Sequence, residues 1–422
     1  MKAVILAAGK GERLRPLTET RPKQLLPIGG RQQLEWLLRN VADAGITEAL
    51  LVTHYREEMI KARYGDGSSL GLKLSYVRQE KMGGTADAFR FAEDFAGGKE
   101  FLGMNGDLFL SPGILKEVVR AHKRGRMTVT GLERDPYLYG ALKLAGDKVL
   151  GVVEKPKPGT APSNVTNAGI YVFPASVFDK IRETKPSPRG EYEITDTINL
   201  MIAAGVEARL HMLDEDDWLD IGHPWTLLEA NTRALARLDP KIEGKVEEGA
   251  QINGPVYIAP TARVRSGVYI EGPVYIGEGC DIGPNNYIRA GTTLVGNNRV
   301  GAGCELKNSI IMDRAAVPHL SYVGDTIIGE RCNLGAGTII ANLRFDHKNV
   351  VMTVRGERMD TGLRKLGTVM GDDCQTGVNV SIHPGVKIGV GAWIAPGVTV
   401  SKDVPDGVLL TPEGLREKPK ST

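Results

Sequence analysis

The first residues of the chain combine glycines with fixed positive charge. An apolar run at residues 3–6 leads directly to Gly9 and Gly11, and Arg13 and Lys23 follow. Glycine allows the backbone to approach an anion closely, and successive free N–H groups ahead of a helix form a concave anion-binding site. This pattern predicts a phosphate-binding loop between a buried strand and a helix.

The spacing of these glycines excludes two common nucleotide-binding motifs. No Lys-Ser or Lys-Thr pair follows the second glycine, as the P-loop requires, and Leu14 replaces the third glycine of the dinucleotide motif. On the glycines alone, a tight turn without a ligand explains the pattern equally well.

Two aspartates follow apolar segments. Asp107 interrupts the apolar residues 101–110, and Asp220 follows Trp218 and Leu219. A carboxylate at the carboxyl end of a parallel strand lies where open α/β sheets bind their ligands, although an ordinary turn also favours aspartate.

Hydrophobic periodicity predicts the elements that position these residues. Apolar residues recur at helical spacing over residues 33–44, and residues 49–53 form a short apolar strand. Strand, loop, helix and strand in this order predict a doubly wound α/β domain. Further along, Gln79 precedes a glycine-rich loop, and Thr85 is the predicted N-cap of the next helix.

The strings LAAGKGERLRPLT and RPKQLLPI closely resemble the signature of the sugar-1-phosphate nucleotidylyltransferases. The resemblance implies that Gly9 and Gly11 bind phosphate and that Arg13 and Lys23 are catalytic and neutralise the triphosphate. Glu12 stands where many members of the family have threonine. We expect its carboxylate to point away from the ligand, because an acidic group beside polyphosphate is unfavourable.

The same resemblance implies the remaining nucleotidyl-transfer residues. Asp107 and Asp220 would bind Mg²⁺, which prefers carboxylate and phosphate oxygens. They lie more than 100 positions apart in the chain, so they can share one ion only if the fold brings both strand ends together. The family matches assign Gln79, Gly84 and Thr85 to the nucleobase, Gly140, Glu154 and Asn167 to the sugar, and Lys155 to its phosphate.

An apolar residue recurs at every sixth position in the second half of the chain. The first run comprises Val246, Ile252, Ile258, Val264, Ile270, Ile276, Ile282, Ile288, Leu294, Val300 and Leu306; the later positions are Ile328, Leu334, Ile340, Met370, Thr376, Ile382, Ile388, Ile394 and Val400. Such hexapeptide repeats predict a parallel β-helix.

All four cysteines precede one of these positions by two residues. They are Cys280, Cys304, Cys332 and Cys374. The left-handed hexapeptide family has a small inward-facing residue at that place, so we expect core thiols. A metal site or a disulfide is the alternative, although the sequence contains no C-x-x-C pair.

Within the repeat, residues 318–325, residues 333–338 and an insertion at 342–365 resemble the acetyltransferase half of the bifunctional enzyme that makes UDP-N-acetylglucosamine. The resemblance implies that His319 is the base that takes a proton from the aminosugar, which suits imidazole near neutral pH. The other matched substrate-binding residues are Arg289 and Lys307 for the phosphate, and Tyr322, Asn333, Ala336, Asn342 and Lys348.

Three residues depart from that acetyltransferase pattern. Leu343 replaces a tyrosine beside the sugar, Val378 replaces a serine near the acyl group, and Pro396 replaces an alanine in the acetyl-CoA groove. The matched base and phosphate-binding residues are retained, whereas the binding mode of the donor and the identity of the aminosugar stay open.

Length and composition agree with a two-domain enzyme acting on small molecules. A chain of 422 residues is too long for one ordinary core. The repeat and the resemblances together imply a Rossmann-like nucleotidyltransferase domain (1–228), a linker helix (229–245), a left-handed parallel β-helix (246–402) and a polar tail (403–422). The formal net charge of +2 gives no indication of nucleic-acid or membrane partners. Without an apolar span or a cleavable signal, we expect a cytoplasmic protein.

Taken together, the sequence predicts a bifunctional enzyme. It would use Mg²⁺ and UTP or dTTP for nucleotidyl transfer to N-acetylglucosamine-1-phosphate or glucose-1-phosphate, and acetyl-CoA to acetylate glucosamine-1-phosphate or a related aminosugar phosphate. By resemblance, we expect a homotrimer or a dimer of trimers. Two alternatives stay open: a nucleotidylyltransferase whose β-helix is an oligomerisation or regulatory platform, and a non-catalytic interaction protein.

Overall fold

The computed structural model describes residues 1–419, which form two compact units. The first unit comprises residues 1–10 and 33–220, and the second comprises residues 11–32 together with the chain from Ile221 onward. Residues 11–32 therefore pack with the second unit, although the sequence assigns them to the nucleotidyltransferase domain. The hydrophobic periodicity of the chain does not indicate that residues 11–32 pack with the second unit.

The first unit contains a nine-stranded mixed sheet. The first four strands in sheet order are mutually parallel, as predicted for a doubly wound start. The fifth strand in sheet order, which is the longest, pairs antiparallel with the fourth. In sheet order the strands are Lys73–Arg78, Glu48–Thr53, Lys2–Ala7, Phe101–Asn105, Val165–Phe173, Met127–Glu133, Ala208–Met212, Lys148–Glu154 and Gly140–Ala145. A separate antiparallel pair joins Leu108–Leu110 to Trp218–Asp220.

Seven α-helices accompany this sheet in the first unit. The first begins at Gln33, as its apolar periodicity predicts, and buries Leu34, Leu37, Leu38 and Val41. The helices are Gln33–Asp43, Glu57–Tyr64, Thr85–Arg90, Glu93–Ala96, Ile114–Ala121, Val177–Glu183 and Ile194–Ala203. Short 3₁₀ turns occupy Ser68–Leu70, Pro136–Leu138 and Glu215–Asp217.

The second unit contains the predicted parallel β-helix, whose coils contribute short strands to three sheets. The first sheet contains Lys241–Ile242, Val256–Ile258, Val274–Ile276, Thr292–Leu294, Ile310–Ile311, Ile327–Ile328, Val369–Met370 and Lys387–Ile388. The second contains Lys245–Val246, Arg263–Val264, Asp281–Ile282, Arg299–Val300, Ala316–Val317, Asn333–Leu334, Gln375–Thr376, Trp393–Ile394, Val408–Thr411 and Gly414–Glu417. The third contains Gln251–Asn253, Tyr269–Glu271, Tyr287–Ile288, Glu305–Lys307, Tyr322–Gly324, Ile339–Ile340, Ser381–Ile382 and Thr399–Val400.

The six-residue repeat forms the core of this β-helix. Each repeated apolar position is buried, except that Val246 and Ile252 at the first coils are half-buried and pack against the same cluster. The four cysteines are free thiols, and each is at most 2 % exposed. The prediction of core thiols is therefore confirmed. Inward-facing residues of successive coils contact one another because the strands pair in register.

Several predicted boundaries shift in the structure. The helix expected at 229–245 spans Pro224–Leu235, and the first strand of the β-helix already begins at Lys241. The predicted polar tail contains an antiparallel hairpin, Val408–Thr411 with Gly414–Glu417, while its last residues, 420–422, lie outside the described residues. Two smaller hairpins pair Pro27–Ile28 with Arg31–Gln32 and Val351–Val354 with Glu357–Asp360; two 3₁₀ turns span Glu12–Leu14 and Lys23–Leu25.

A membrane-spanning helix is not present in residues 1–419, because none of the helices there combines the required length with the required hydropathy.

Two neighbouring isoleucines test whether the inward-facing residues carry the stability of the β-helix. Ile340 is fully buried, whereas Ile339 on the same strand is 43 % exposed. We expect Ile340→Ala to lower the free energy of unfolding by about 2–5 kcal/mol, because it removes buried methyl groups and leaves a cavity. The matched control Ile339→Ala should change it by less than about 1 kcal/mol. Equal losses in chemical denaturation would contradict this assignment of the core.

Candidate functional sites

Parallel strands of the first unit bring several predicted residues to one edge of the sheet. The N–H of Gly106 donates to the carbonyl of Leu6 at 2.9 Å, and the N–H of Gln79 donates to Thr53 at 2.8 Å. Four neighbouring strands of the sheet are parallel, so the three segments that carry Gly9, Gln79 and Asp107 start at the same edge. This is the edge at which open α/β sheets bind ligands.

The two predicted metal-binding aspartates lie at the meeting ends of one antiparallel strand pair. Asp220 pairs directly with Leu108, the residue after Asp107. The indole N–H of Trp218 on the same strand donates to the carbonyl of Ala168 at 2.8 Å, which fixes this pair against the main sheet. The fold thus brings together the two strand ends that carry Asp107 and Asp220.

The donor set at these aspartates fits Mg²⁺. Within residues 1–419, no cluster of three or more His, Cys, Asp or Glu side chains could hold a metal ion by itself. Two carboxylates with the remaining ligands from phosphates and water is the arrangement that Mg²⁺ commonly takes, since it keeps several waters. Asp107 and Asp220 would hold such an ion, with phosphate oxygens completing its coordination.

The loop predicted to meet the nucleobase is fixed by neighbouring segments of the first unit. The side-chain amide of Gln79 donates to Asp87 at 2.8 Å and to the carbonyl of Gly84 at 3.3 Å. Gly84 has a φ of +109°, and a Cβ there would lie 2.4 Å from the carbonyl oxygen of Tyr192. Only glycine fits this position, because both its backbone conformation and its surroundings exclude a side chain.

Thr85 does not have the capping role that the sequence predicts. Gly84 is the N-cap of the helix, and Thr85 is its first residue. The hydroxyl of Thr85 instead accepts a hydrogen bond from the N–H of Ile194 at 2.9 Å. A partner more than 100 residues away therefore outweighs the local capping preference.

The predicted sugar-binding residues Gly140 and Glu154 are direct partners in an antiparallel strand pair. A Cβ at Gly140 would lie 3.0 Å from a carboxylate oxygen of Glu154, so glycine keeps the space beside this carboxylate open. Lys155 follows with a φ of +43°, and its N–H donates to the carbonyl of Tyr139 at 3.0 Å.

Asn167 lies inside a strand rather than at its beginning. The sequence predicts that residues 167–169 precede a strand, but the observed strand is Val165–Phe173, with an irregular register between Asn167 and Tyr171. The amide of Asn167 donates to the hydroxyl of Tyr171 at 2.6 Å and accepts from the N–H of Gly169 at 3.2 Å. These contacts fix the side chain within the irregular segment.

Glu154 has an unusual electrostatic environment. Burial raises the pKa of its carboxyl group, and the nearby charge of Glu193 raises it further, while Arg189 opposes the shift. Arg189 donates to both Glu154, at 3.3 Å, and Glu193. Neither Arg189 nor Glu193 was singled out from the sequence as a site residue, so this ion-pair network around the predicted sugar site was missed.

The signature segment, residues 11–32, is described within the second unit. Gly11 has a φ of +68°, and its carbonyl accepts from the hydroxyl of Thr18 at 2.8 Å, which closes the loop that carries Arg13. Glu12 forms an ion pair with Arg355 at 3.2 Å.

A histidine that the sequence did not single out lies near Arg13. Burial, and secondarily the charge of Arg13, lowers the pKa of His223 to about 4. His223 is therefore neutral at neutral pH, so it adds no charge beside Arg13. The same residue is the N-cap of the helix Pro224–Leu235.

Arg289 and Lys307 occupy equivalent places on successive coils of the β-helix. The N–H of Arg289 donates to the carbonyl of Leu306 at 2.8 Å, so the two basic residues lie at the same edge. Arg289 pairs with Glu305 at 2.9 Å, and Lys307 pairs with Asp325 at 3.1 Å. A basic pair at one edge is suited to a phosphate group, because each cation retains further N–H donors.

Asp325 is a functional candidate that sequence reasoning missed. Its carboxylate is almost fully buried and accepts from Lys307, from Asn308 at 2.8 Å and from Asn342. The amide of Asn342 also donates to the hydroxyl of Tyr322 at 3.2 Å. Asp325 thus brings three of the predicted acetyltransferase residues into one hydrogen-bonded group.

His319 lies at another edge of the same coils. The N–H of Gly337, beside Ala336, donates to the carbonyl of His319 at 3.2 Å. The next coils place Val378 and Pro396 in the same column, because the N–H of Asn379 donates to Ala336 and that of Gly397 donates to Val378, both at 2.8 Å. His319 is exposed, and the strand Tyr322–Gly324 runs from this edge toward the edge of Lys307.

The remaining matched residues are more loosely placed. Asn333 is exposed on the strand that pairs with Ala316. Lys348 is exposed on the insertion, where its charge lies beside Asp346. Leu343 forms an isolated bridge with Lys365, which closes the insertion at its base.

Comparison with known proteins finds relatives of both halves of the chain. The family model for the nucleotidyl transferase matches residues 2–237, and the model for the GMPPB C-terminal domain matches residues 271–381. The chain is 40 % identical over 406 residues to the bifunctional protein GlmU of Methanocaldococcus jannaschii, covering 96 % of each chain. It is 41 % identical over 410 residues to a bifunctional sugar-1-phosphate nucleotidylyltransferase/acetyltransferase of Sulfurisphaera tokodaii, covering 96 % of this chain and 98 % of the relative.

A solved structure supports the fold of the nucleotidyltransferase half. A UDP-glucose pyrophosphorylase complexed with UDP-glucose superposes with a TM-score of 0.52 at 24 % identity, covering 56 % of this chain and 99 % of the other. With the nearly full-length similarity to bifunctional relatives, these findings identify the chain as a member of the nucleotidyl transferase family, in the bifunctional group that combines a nucleotidyltransferase with an acetyltransferase.

Proposed function

We propose that the nucleotidyltransferase half joins UTP or dTTP to N-acetylglucosamine-1-phosphate or glucose-1-phosphate and releases pyrophosphate. The pairing of Asp220 with Leu108 carries this proposal, because it joins the two strand ends that hold Asp107 and Asp220. A Mg²⁺ ion bound there would neutralise phosphate charge and polarise the attacked α-phosphorus. Uracil and thymine differ by one methyl group, and Gln79 can pair with either.

The chain's own residues supply positioning and charge in this reaction. Arg13 and Lys23 neutralise the triphosphate, and the backbone at Gly9 and Gly11 contacts its oxygens. Gln79, Gly84 and Thr85 orient the nucleobase. On the sugar side, Gly140, Glu154 and Asn167 bind hydroxyl groups and Lys155 binds the phosphate, so that its oxygen attacks in line with the departing pyrophosphate.

The acetyltransferase half uses acetyl-CoA to acetylate glucosamine-1-phosphate or a related aminosugar phosphate. Arg289 and Lys307 bind the phosphate, and Tyr322, Asn333, Asn342 and Lys348 contact the polar groups. The imidazole of His319 takes a proton from the amine as the nitrogen attacks the thioester carbonyl, and coenzyme A leaves as the thiol. Ala336 lines the same edge, which the acyl donor occupies.

The substrates are small phosphorylated molecules that are made in the cytoplasm, where we place the enzyme. We further propose a homotrimer, or a dimer of such trimers. Large apolar side chains are exposed on the β-helix, namely Leu320, Phe345 and Val378. Leu320 follows His319, and Val378 lies in the same column as Ala336, so that a second copy would cover this edge of the acetyl-transfer site.

A second candidate function is nucleotidyl transfer alone, with the β-helix as a platform. The match of residues 271–381 to a GMPPB C-terminal domain favours it. The hydrogen-bonded group formed by Lys307, Asp325, Asn342 and Tyr322 favours acetyl transfer. A platform would have no need of a lysine held by a buried carboxylate beside the polar side chains of Asn342 and Tyr322.

Asp107→Asn tests the metal site. The substitution keeps the shape of the side chain but removes the charge that would bind Mg²⁺, so nucleotidyl transfer should fall at least about 100-fold. Acetyl transfer should stay unchanged. Pyrophosphate release and thiol release measure the two reactions, with Asp147→Asn at an exposed position of the same unit as control. Loss of both activities would contradict two separate sites.

Glu154 should impose a pH dependence on sugar binding. Because the pKa of Glu154 is raised, this carboxylate takes up a proton at a higher pH than an ordinary glutamate does. Protonation removes an acceptor for sugar hydroxyls, so KM for the sugar phosphate should rise as the pH falls through this pKa. Glu154→Gln should raise KM and abolish the rise of KM that protonation of Glu154 causes. The pH dependence that remains should then come only from titration of the sugar phosphate. An identical KM profile in wild type, Glu154→Gln and the exposed control Glu183→Gln would overturn the role.

His319→Ala tests the acetyl-transfer base. With acetyl-CoA and glucosamine-1-phosphate, the variant should release thiol at least about 100-fold more slowly than wild type. His211→Ala, in the other unit, is the control and should keep the wild-type rate. If the wild type releases no thiol with any aminosugar phosphate, the β-helix is a platform and the second candidate function is correct.

A further inference from the structure

Arg21 connects the nucleotidyltransferase signature to the β-helix. It lies on the segment 11–32, between Arg13 and Lys23, and is only 7 % exposed. One terminal nitrogen of its guanidinium group donates to Glu330, and the other donates to Asp372. The hydroxyl of the preceding residue, Thr20, donates to the same carboxylate of Asp372 at 2.7 Å.

The two carboxylates are held by neighbouring coils. Glu330 and Asp372 each follow a strand, and these strands pair in register, Ile328 with Met370. The N–H of Glu330 donates to Asp372 at 2.8 Å, and the side chain of Asp372 is 2 % exposed. The neighbouring coil therefore fixes the carboxylate of Asp372 independently of Arg21, and Arg331 donates to the carboxylate of Glu330 at 2.8 Å.

The geometry of arginine makes this contact directional. A planar guanidinium that reaches one carboxylate with each terminal nitrogen has a single favourable orientation. The Nε atom of Arg21 is buried without a hydrogen-bond partner, so the two terminal nitrogens determine that orientation. A lysine ammonium at this position could not reach both carboxylates with the same geometry.

Other contacts join the segment 11–32 to the rest of the second unit. Toward its beginning, Glu12 pairs with Arg355. Toward its end, the N–H of Gly29 donates to the side chain of Asn231 at 2.9 Å, and a Cβ at Gly30 would lie 2.3 Å from the ring of Tyr275. Arg21 is the buried contact in the middle, two residues from Lys23.

We propose that Asp372 and Glu330 are positioning residues for nucleotidyl transfer: through Arg21 they fix the backbone that carries Arg13 and Lys23. The inference rests on the proposed nucleotidyl transfer and extends it, because it makes the β-helix part of the framework for the other half's reaction. Phosphoryl chemistry depends mainly on the positions of charged groups, and a shift of about 1 Å can cost about 100-fold in rate.

Asp372→Asn tests the proposal, and Asp373→Asn is the matched control. Asp373 is the next residue and its side chain is 48 % exposed; its direct ion pair is with Arg331 at 2.7 Å, and the charge of Arg21 reaches it without an ion pair. In the full-length Asp372→Asn variant, kcat for pyrophosphate release should fall about 10- to 100-fold. Thiol release should stay at the wild-type rate, which shows that the β-helix is folded. Asp373→Asn should match wild type in both assays.

Amide hydrogen exchange supplies a readout that does not depend on turnover. Residues 11–25 should exchange faster in Asp372→Asn than in wild type and Asp373→Asn, whereas the core strands of the β-helix should not. Arg21→Lys keeps the positive charge but cannot reach both carboxylates with the same geometry. It should therefore also lower kcat for pyrophosphate release and speed the exchange of residues 11–25, which keeps the proposal testable even if Asp372→Asn does not fold. The double variant Arg21→Lys with Asp372→Asn should lose little more activity than either single one.

The outcomes distinguish failure of the positioning role from failure of the proposed nucleotidyl transfer. Wild-type rates and wild-type exchange of residues 11–25 in Asp372→Asn and Arg21→Lys would overturn the positioning role. Faster exchange of residues 11–25 together with unchanged nucleotidyl transfer would also overturn it, since the contact would then be structural only. If wild type itself transfers no nucleotidyl group from UTP or dTTP, the proposed function fails, and the exchange data still decide whether Arg21 fixes the segment.

Discussion

The in-register stacking of the β-helix coils is the constraint on which most of this molecule's chemistry depends. An apolar residue at every sixth position is buried, so each coil has one permitted register against the next. Turn residues then form columns at the edges. One column contains His319 and Ala336, and another contains Arg289 and Lys307. The same register holds Glu330 beside Asp372. A slip of one coil would disperse all three groups.

The nucleotidyltransferase half solves a similar positioning problem with a sheet. Parallel strands bring the loops after them to one edge, and a short antiparallel pair brings Asp220 beside the segment that carries Asp107. Because each carboxylate comes from a different part of the chain, the site exists only in the folded protein. The position of the signature segment 11–32 also depends on the second unit, because the segment contacts the β-helix and the helix Pro224–Leu235 that precedes the β-helix.

Much of this architecture follows from the sequence because periodicity reports which residues face inward. The β-helix, its buried cysteines and the doubly wound start were predictable for that reason, and the signature strings indicated the reaction. Contacts outside the β-helix core follow no such period, so the sequence does not reveal which residues make them. Arg21 meets Glu330 and Asp372 across more than 300 residues, and Asp325 accepts hydrogen bonds from residues of the two neighbouring coils. A long-range contact also displaced the local capping preference at Thr85.

The central claim is that one chain carries out two consecutive transfers. The most direct measurement supplies purified protein with acetyl-labelled acetyl-CoA, glucosamine-1-phosphate, Mg²⁺ and UTP or dTTP, and follows the label. The account predicts that the label passes into the aminosugar phosphate and then into a nucleotide sugar, with thiol and pyrophosphate released in equal amounts. Label that stays in acetyl-CoA, while added N-acetylglucosamine-1-phosphate or glucose-1-phosphate is still converted to a nucleotide sugar, would contradict it.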